Sequence, residues 1–222
     1  MYDPTVPKTI ILASASPRRR QLLVQAGIDF SVIPAHIDED AIAAADPETC
    51  VKILADAKAR PIAKAYRHHW VIGADSIVAI DDAILNKPAS VSGAEQMLTA
   101  LSGRTHRVLT GYSIQCVAEN HVHTEVCVTD VTFKILRAAE IAWYIDTPEP
   151  YDKAGGYAIQ GTGAFMVQQI NGSYTNVVGL PLCEVIDHLT AAQVIDRRII
   201  HHSTQQIDCQ TAGGKSHERN PG

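Results

Sequence analysis

Thr9-Ile10-Ile11-Leu12-Ala13-Ser14-Ala15-Ser16-Pro17-Arg18-Arg19-Arg20 decides how this chain is read, because a β-rich run gives way there to a helix that starts with the wrong charge. Ser16 is a good N-cap, and Pro17 suits the first helical position, where its missing N–H costs nothing. Acidic residues should follow, to complement the positive end of the helix dipole. Three arginines follow instead. A serine-capped helix start with added positive charge is explained if an anion, above all a phosphate, sits there; the alternative is a merely basic helix end. At about 100° per residue, Arg18, Arg19, Leu22, Leu23 and Ala26 share one arc. The leucines must face the core, so Arg18 and Arg19 point at the helix mouth and Arg20 faces water. Gly27 is a natural C′ stop.

Outward from this start, strand-like and helical runs alternate. Strands are expected over 9–13, 29–34, 70–80, 83–86, 106–118, 122–134 and 164–170, and helices over 17–26, 47–66, 91–101, 137–146 and 180–197, with a Gly-rich segment at 148–163. That order predicts an α/β fold, a mixed central β-sheet flanked by helices. Apolar periodicity ends at Ile199, so the chain reads as one domain over 1–198 and a disordered polar tail over 199–222. Gly213-Gly214-Lys215-Ser216 in that tail imitates a phosphate loop, but the Walker pattern needs glycine five residues before Gly214, where Cys209 stands.

With 222 residues, 46% of them apolar, the chain is long enough for one substantial core. A net charge of −5 argues against general nucleic-acid binding, so its Arg and Lys clusters call for a specific small anion. No run of about 20 apolar residues exists to span a membrane. The N-terminus lacks a basic segment followed by an apolar stretch, and the expected location is the cytoplasm. Cys50, Cys116, Cys127, Cys183 and Cys209 are odd in number and scattered, as reduced thiols are, and no zinc spacing occurs.

Val71-Ile72-Gly73-Ala74-Asp75-Ser76-Ile77-Val78-Ala79-Ile80 is the second informative run. Asp81-Asp82 makes a tight turn into Ala83-Ile84-Leu85-Asn86-Lys87-Pro88, and the two-residue loop pairs Ile80 with Ala83. Continued, that register sets Ser76 opposite Lys87 and makes Asp75 and Lys87 diagonal neighbours. An Asp inside an apolar strand is costly unless paired or bound to a cation. Two readings stay open: a salt bridge to Lys87, or a metal ligand or general base beside a phosphate-binding lysine. Lys58 shares the 47–66 helix with Lys52, Arg60 and Lys64, which also suits a solvated face. Asp38-Glu39-Asp40 could offer a ligand to a hard cation. In Asp152-Lys153-Ala154-Gly155-Gly156-Tyr157-Ala158-Ile159-Gln160-Gly161-Thr162-Gly163, glycine permits close backbone approach to a ligand, and Gln160 is a candidate reader of a base edge. Gly111-Tyr112-Ser113-Ile114-Gln115 lacks the last glycine of a nucleophile elbow. His121 and His123 alternate along a strand without a third ligand and are expected to be exposed.

Taken together, S-A-S-P-R-R (14–19), G-A-D-S-I-V (73–78), N-K-P (86–88), L-S-G-R-T-H-R-V-L-T-G (101–111), D-K-A-G-G-Y-A-I-Q-G (152–161) and I-N-G-S-Y-T-N-V-V-G-L-P-L (170–182) resemble the Maf family of nucleoside triphosphate pyrophosphatases over residues 9–190. The resemblance implies an inosine-triphosphatase-like fold with a cleft between two lobes, and homodimers, which are frequent in the family. It implies hydrolysis of a nucleoside triphosphate to the monophosphate and pyrophosphate with a divalent cation, Mg²⁺ or Mn²⁺. By motif, Ser14, Arg18, Arg19, Lys58 and Lys87 would hold phosphates, and Glu39 and Asp75 would bind the metal or activate water. Arg18, Ser76 and Gln160 stand at the family's specificity positions. The branch with Y-x-I-Q-G acts on dTTP and UTP, whereas a sister branch acting on 7-methyl-GTP carries an acidic residue at the place of Gln160. Ser76 replaces the threonine more usual in this branch, and Ala158 a common glycine. A nucleotide-binding regulator of cell division without turnover is the reading from a different class, disfavoured by the acidic pair.

Overall fold

The computed structural model describes residues 8–39, 42, 46–81 and 83–196; the tail expected over 199–222, with Cys209 and the Gly213–Ser216 run, lies outside the described residues, as do Asp40 and Asp82. One mixed sheet has the strand order β2-β1-β3-β5-β6-β7, with β4 paired to β3 off that path. The strands are β1 (Ile10–Leu12), β2 (Phe30–Val32), β3 (Trp70–Ile80), β4 (Ala83–Leu85), β5 (Thr105–Cys116), β6 (His121–Phe133) and β7 (Val167–Asn171). The helices are α1 (Pro17–Gln25), α2 (Pro47–Ala65), α3 (Val91–Leu101), α4 (Ala138–Ile145), α5 (Tyr174–Val178) and α6 (Leu182–Ala191). This is the expected α/β architecture. Its departures lie late in the chain: Thr162–Met166 is a 3₁₀ turn rather than strand, and α5 precedes a shorter final helix. Ser173 caps α5 by accepting the Asn176 N–H, and Gly179 ends it at φ 131°, a conformation that favours glycine.

The opening stretch folds as its residues dictate. Ser16 accepts the Arg19 N–H, Pro17 stands first in α1, and no acidic residue occupies the first turn. At the other end Gly27 has φ 70°, and the Ile28 and Gly27 N–H groups donate to the Leu23 and Val24 carbonyls, a Schellman stop. Leu22 and Leu23 are buried and Arg20 is exposed, as the helical phase requires.

β1 is parallel to both β2 and β3. Leucines of α1 pack with Ile72 and Ala74 on one face of the sheet, and alanines of α2 pack with Ile11 and Val71 on the other. Successive crossovers thus leave to opposite sides of β1, and the end of β1 is a switch point of the kind where α/β sheets bind ligands. β3 outruns β1. The β1 ladder stops at Leu12↔Ile72, the β4 ladder covers only Val78–Ile80, and the other edge of β3 is paired with β5 throughout Val71–Ala79. Among the described residues the edge from Gly73 to Ile77 has no strand partner on the β1 side. Two core clusters flank this gap on one face, one around Ile72, Ala74, Tyr112 and Val185, the other around Val78, Ile80, Leu98 and Tyr144. On the opposite face α2 lies hard against the sheet because a Cβ at Gly73 would meet the Ala55 carbonyl oxygen at 2.5 Å, and one at Gly111 the Val51 carbonyl oxygen at 2.2 Å.

Candidate active site

Successive residues of a strand point to opposite faces, so the open edge presents Asp75 on the α2 side and Ser76 on the other. A cavity of about 990 Å³ spans both, lined by Ser14–Arg19, Glu39, Lys58, Asp75, Ser76, Asn86, Lys87, Asp152–Ala154, Tyr157–Gln160 and Val177–Gly179, among others. Clefts that hold small-molecule ligands fall at roughly 300–1,000 Å³.

On the α2 side the glycine seat brings Lys58 to the strand. Lys58 Nζ lies 2.5 Å from Asp75 Oδ1 and 2.9 Å from Glu39 Oε1, with the Lys58 and Asp75 side chains 12% exposed and Glu39 half-exposed. Burial pushes the Glu39 carboxyl up, but the hydrogen bond and charge of Lys58, with Lys87 and Arg19, outweigh it and hold it below the usual range. Glu39 therefore stays a carboxylate. Two carboxylates converging on one ammonium form an all-oxygen donor pair suited to a hard divalent cation whose remaining ligands are phosphate oxygens and water. Among the described residues no group of three or more His, Cys, Asp or Glu side chains is placed to hold a metal ion.

The Ser76 side is built differently. Arg19 is 8% exposed and fills the gap left by β1. Its Nε donates to the Gly179 carbonyl at 2.7 Å, Nη1 to the Ala74 carbonyl at 2.9 Å and to Ser14 Oγ at 3.2 Å, and Nη2 to Ser76 Oγ at 3.0 Å. The Ala74 carbonyl is free to accept because it lies beyond the last β1 pair. Burial pulls the guanidinium down, the Asp75 charge opposes this, and Arg18 adds to the pull; a guanidinium remains charged through such shifts. Four of its five N–H groups are thus spent on protein. Arg18, half-buried, lines the cavity.

All nine expected site residues, Ser14, Arg18, Arg19, Glu39, Lys58, Asp75, Ser76, Lys87 and Gln160, border this cavity. One pairing is corrected: the partner of Asp75 is Lys58, not Lys87. The hairpin register is the expected one, Ile80↔Ala83, but its ladder ends at Leu85, before it can set Lys87 opposite Ser76 and diagonal to Asp75. Lys87 remains exposed and within electrostatic reach of Glu39. His121 and His123 are also corrected, since both are half-buried: His121 Nε2 lies 2.8 Å from His188 Nε2, and the His123 and His188 rings stack at 3.8 Å. Sequence reading missed the buried Thr110 and Asn176, whose only signal was a polar residue inside an apolar run. It also missed Glu149, which accepts the Thr162 and Gly163 N–H groups and the Tyr144 hydroxyl and so pins the Gly-rich segment.

A family model described as Maf-like protein matches residues 9–192. A dTTP/UTP pyrophosphatase of Syntrophus aciditrophicus is 48% identical over 180 residues, covering 81% of this chain and 88% of that protein. One from Citrifermentans bemidjiense is 50% identical over 181 residues, covering 82% and 94%. Among solved structures, a HAM1 protein from Coxiella burnetii aligns at a TM-score of 0.48 with 15% identity, over 83% of this chain and 99% of that one.

Proposed function

This chain belongs to the Maf family, and on that premise we propose that it is a nucleoside triphosphate pyrophosphatase acting on dTTP and UTP. The observation that carries the proposal is Asp75, a carboxylate at the open edge of β3, clamped by Lys58 beside Glu39 inside a cavity whose other wall is arginine. Relatives about half identical along nearly their whole length bear the name dTTP/UTP pyrophosphatase, and an uncharged Gln160 lining the cavity suits a neutral pyrimidine edge better than a cationic methylated guanine.

In this reading the triphosphate lies along the gap with its phosphates toward Arg18, Lys58 and Lys87, where a guanidinium fork and two point charges neutralise them. Asp75 accepts the proton of a water as its oxygen bonds to the α-phosphorus. The bond from that phosphorus to the bridging oxygen breaks, and pyrophosphate leaves against the basic wall. Glu39 and Asp75 would hold a divalent cation, Mg²⁺ or Mn²⁺, which when bound neutralises phosphate charge and polarises the attacking water. Arg19 contributes its charge and one remaining N–H. Cytoplasmic residence belongs to the same reading and rests on the free thiols of Cys50, Cys116, Cys127 and Cys183; among the described residues no helix is long and apolar enough to cross a membrane. Assembly as a homodimer is proposed on the family's habit alone.

The test is a panel of triphosphates incubated with Mg²⁺ while pyrophosphate and orthophosphate are resolved. Pyrophosphate from dTTP and UTP is expected. Orthophosphate as first product, or turnover of 7-methyl-GTP in preference to pyrimidines, would sink the proposal.

A further inference from the structure

A chain of hydrogen bonds leaves the cavity through Ser76 and runs to Thr110, Asn176 and Thr129, which do not line it. Thr110, fully buried on β5, stands directly across from Ser76 in the β3–β5 ladder. Its hydroxyl donates to the Asn176 carbonyl at 3.2 Å and meets Ser76 Oγ at 2.8 Å. Ser76 Oγ accepts from Arg19 Nη2 at 3.0 Å, and its own hydroxyl is in reach of two protein partners, Thr110 Oγ1 and the Gly179 carbonyl at 3.5 Å. Hydrogen bonds thus link Arg19, Ser76, Thr110 and Asn176 in that spatial order. Asn176, also fully buried, anchors the far end by donating from Nδ2 to the Val108 carbonyl at 3.0 Å and to Thr129 Oγ1 at 2.9 Å. Thr129 in turn accepts the Ser173 N–H and donates to the Ser173 carbonyl. The short helix α5 is thereby held at its start by β6, at its middle by β5, and just past its end by Arg19 on the Gly179 carbonyl.

We propose that Thr110 and Asn176 are positioning residues for the triphosphate site, fixing Ser76 and through it the Arg19 guanidinium and the Val178–Gly179 wall of the cavity. This rests on the proposed function and extends it to residues that touch no substrate. It also changes what Ser76 does. With its hydroxyl engaged by Arg19, Thr110 and the Gly179 carbonyl, Ser76 sets the pose of Arg19 rather than donating to a base, and its effect on substrate choice is indirect. Breaking the chain at Thr110 must then reproduce breaking it at Ser76.

The experiment pairs calorimetric binding of the α,β-methylene analogue of dTTP with steady-state kinetics on dTTP, for wild type, Thr110→Val, Thr110→Ser, Ser76→Ala and the Thr110→Val/Ser76→Ala double variant. Thr110→Val keeps shape and removes the hydroxyl. Binding is expected to weaken about tenfold, and KM to rise in step with kcat within about twofold, because Asp75 and Lys58 lie on the other face. Thr110→Ser should restore both values, and the double variant should bind no worse than the weaker single one. Wild-type affinity in Thr110→Val, or additive losses in the double variant, would overturn the inference while leaving the function intact; a wild type that binds the analogue yet releases no pyrophosphate would overturn the function instead. If Thr110→Val does not fold, the cycle is run on Ser76→Ala and Arg19→Lys, where additive losses again count against the chain.

Discussion

The two faces of β3 at its open edge are built from adjacent residues to opposite ends. On the Asp75 face three charged groups meet, Lys58 between two carboxylates, with few other partners. On the Ser76 face most hydrogen-bonding groups around Arg19 are used within the protein, and this buried cation is bound through four of its N–H groups. The difference separates two tasks that residue type alone confuses. Charge held by few bonds is available to a ligand, and charge held by many fixes geometry. Arg18 and Arg19, neighbours with the same side chain, fall on opposite sides of that division.

The largest expected effect breaks the Asp75 face. Asp75→Asn keeps the shape and a hydrogen-bond acceptor but removes the charge that accepts a proton, a role worth roughly 10²–10⁴ in rate. Pyrophosphate release should fall by that factor, with the circular dichroism spectrum unchanged, since Lys58 retains Glu39. Wild-type kcat in this variant would remove Asp75 from the chemistry and leave its face a structural ion cluster.

Next in size is the division between the arginines. An ammonium in place of the Arg19 fork reaches at most part of the set formed by Gly179, Ala74, Ser14 and Ser76. Buried acceptors left unpaired cost about 1–3 kcal/mol each, so Arg19→Lys should lower unfolding free energy by roughly 2–4 kcal/mol in urea. Arg18→Lys, on a half-buried side chain lining the cavity, should stay within about 0.5 kcal/mol of wild type and raise KM instead. If both variants lose equal stability, or neither does, the two faces are not functionally distinct.

That distinction was only half legible in the sequence. The Ser16–Pro17 cap, the misplaced arginines and the Asp within β3 are local signals, readable because capping, dipole and burial act within a few residues. The hairpin register followed from the two-residue turn. What could not be read was which cation Asp75 meets. That depends on the closeness of α2, which Gly73 and Gly111 set from two different strands, and on how early β4 leaves the ladder. Thr110 and Asn176 were illegible for the same reason. A buried polar residue declares a partner without naming it, and theirs lie 34 and 66 residues apart in the chain.

The smallest effect, per unit of pH, tests the Ser76 face through a group that must stay neutral. His106 lies on that face of β5, buried, with Nε2 2.7 Å from the Tyr157 hydroxyl, Nδ1 without a partner and the Phe133 ring edge-on at 4.9 Å. Nothing there compensates a proton, and burial lowers its pKa from 6.5 to about 4. In the unfolded chain the same imidazole titrates near its ordinary value, so below pH 6.5 the unfolded state takes up a proton that the native state refuses. Stability is therefore intact above that pH and falls as pH drops toward 4, by at most about 1.4 kcal/mol per unit from this residue. His188, lowered to about 4 by burial and by the neighbouring His123 and His121, acts in the same direction. Urea denaturation at pH 7.0, 6.0 and 5.0 should show this slope. His106→Gln, which keeps a partner for the Tyr157 hydroxyl, should remove the His106 share, and an unchanged slope would take His106 out of the acid sensitivity and leave it to other groups, His188 among them.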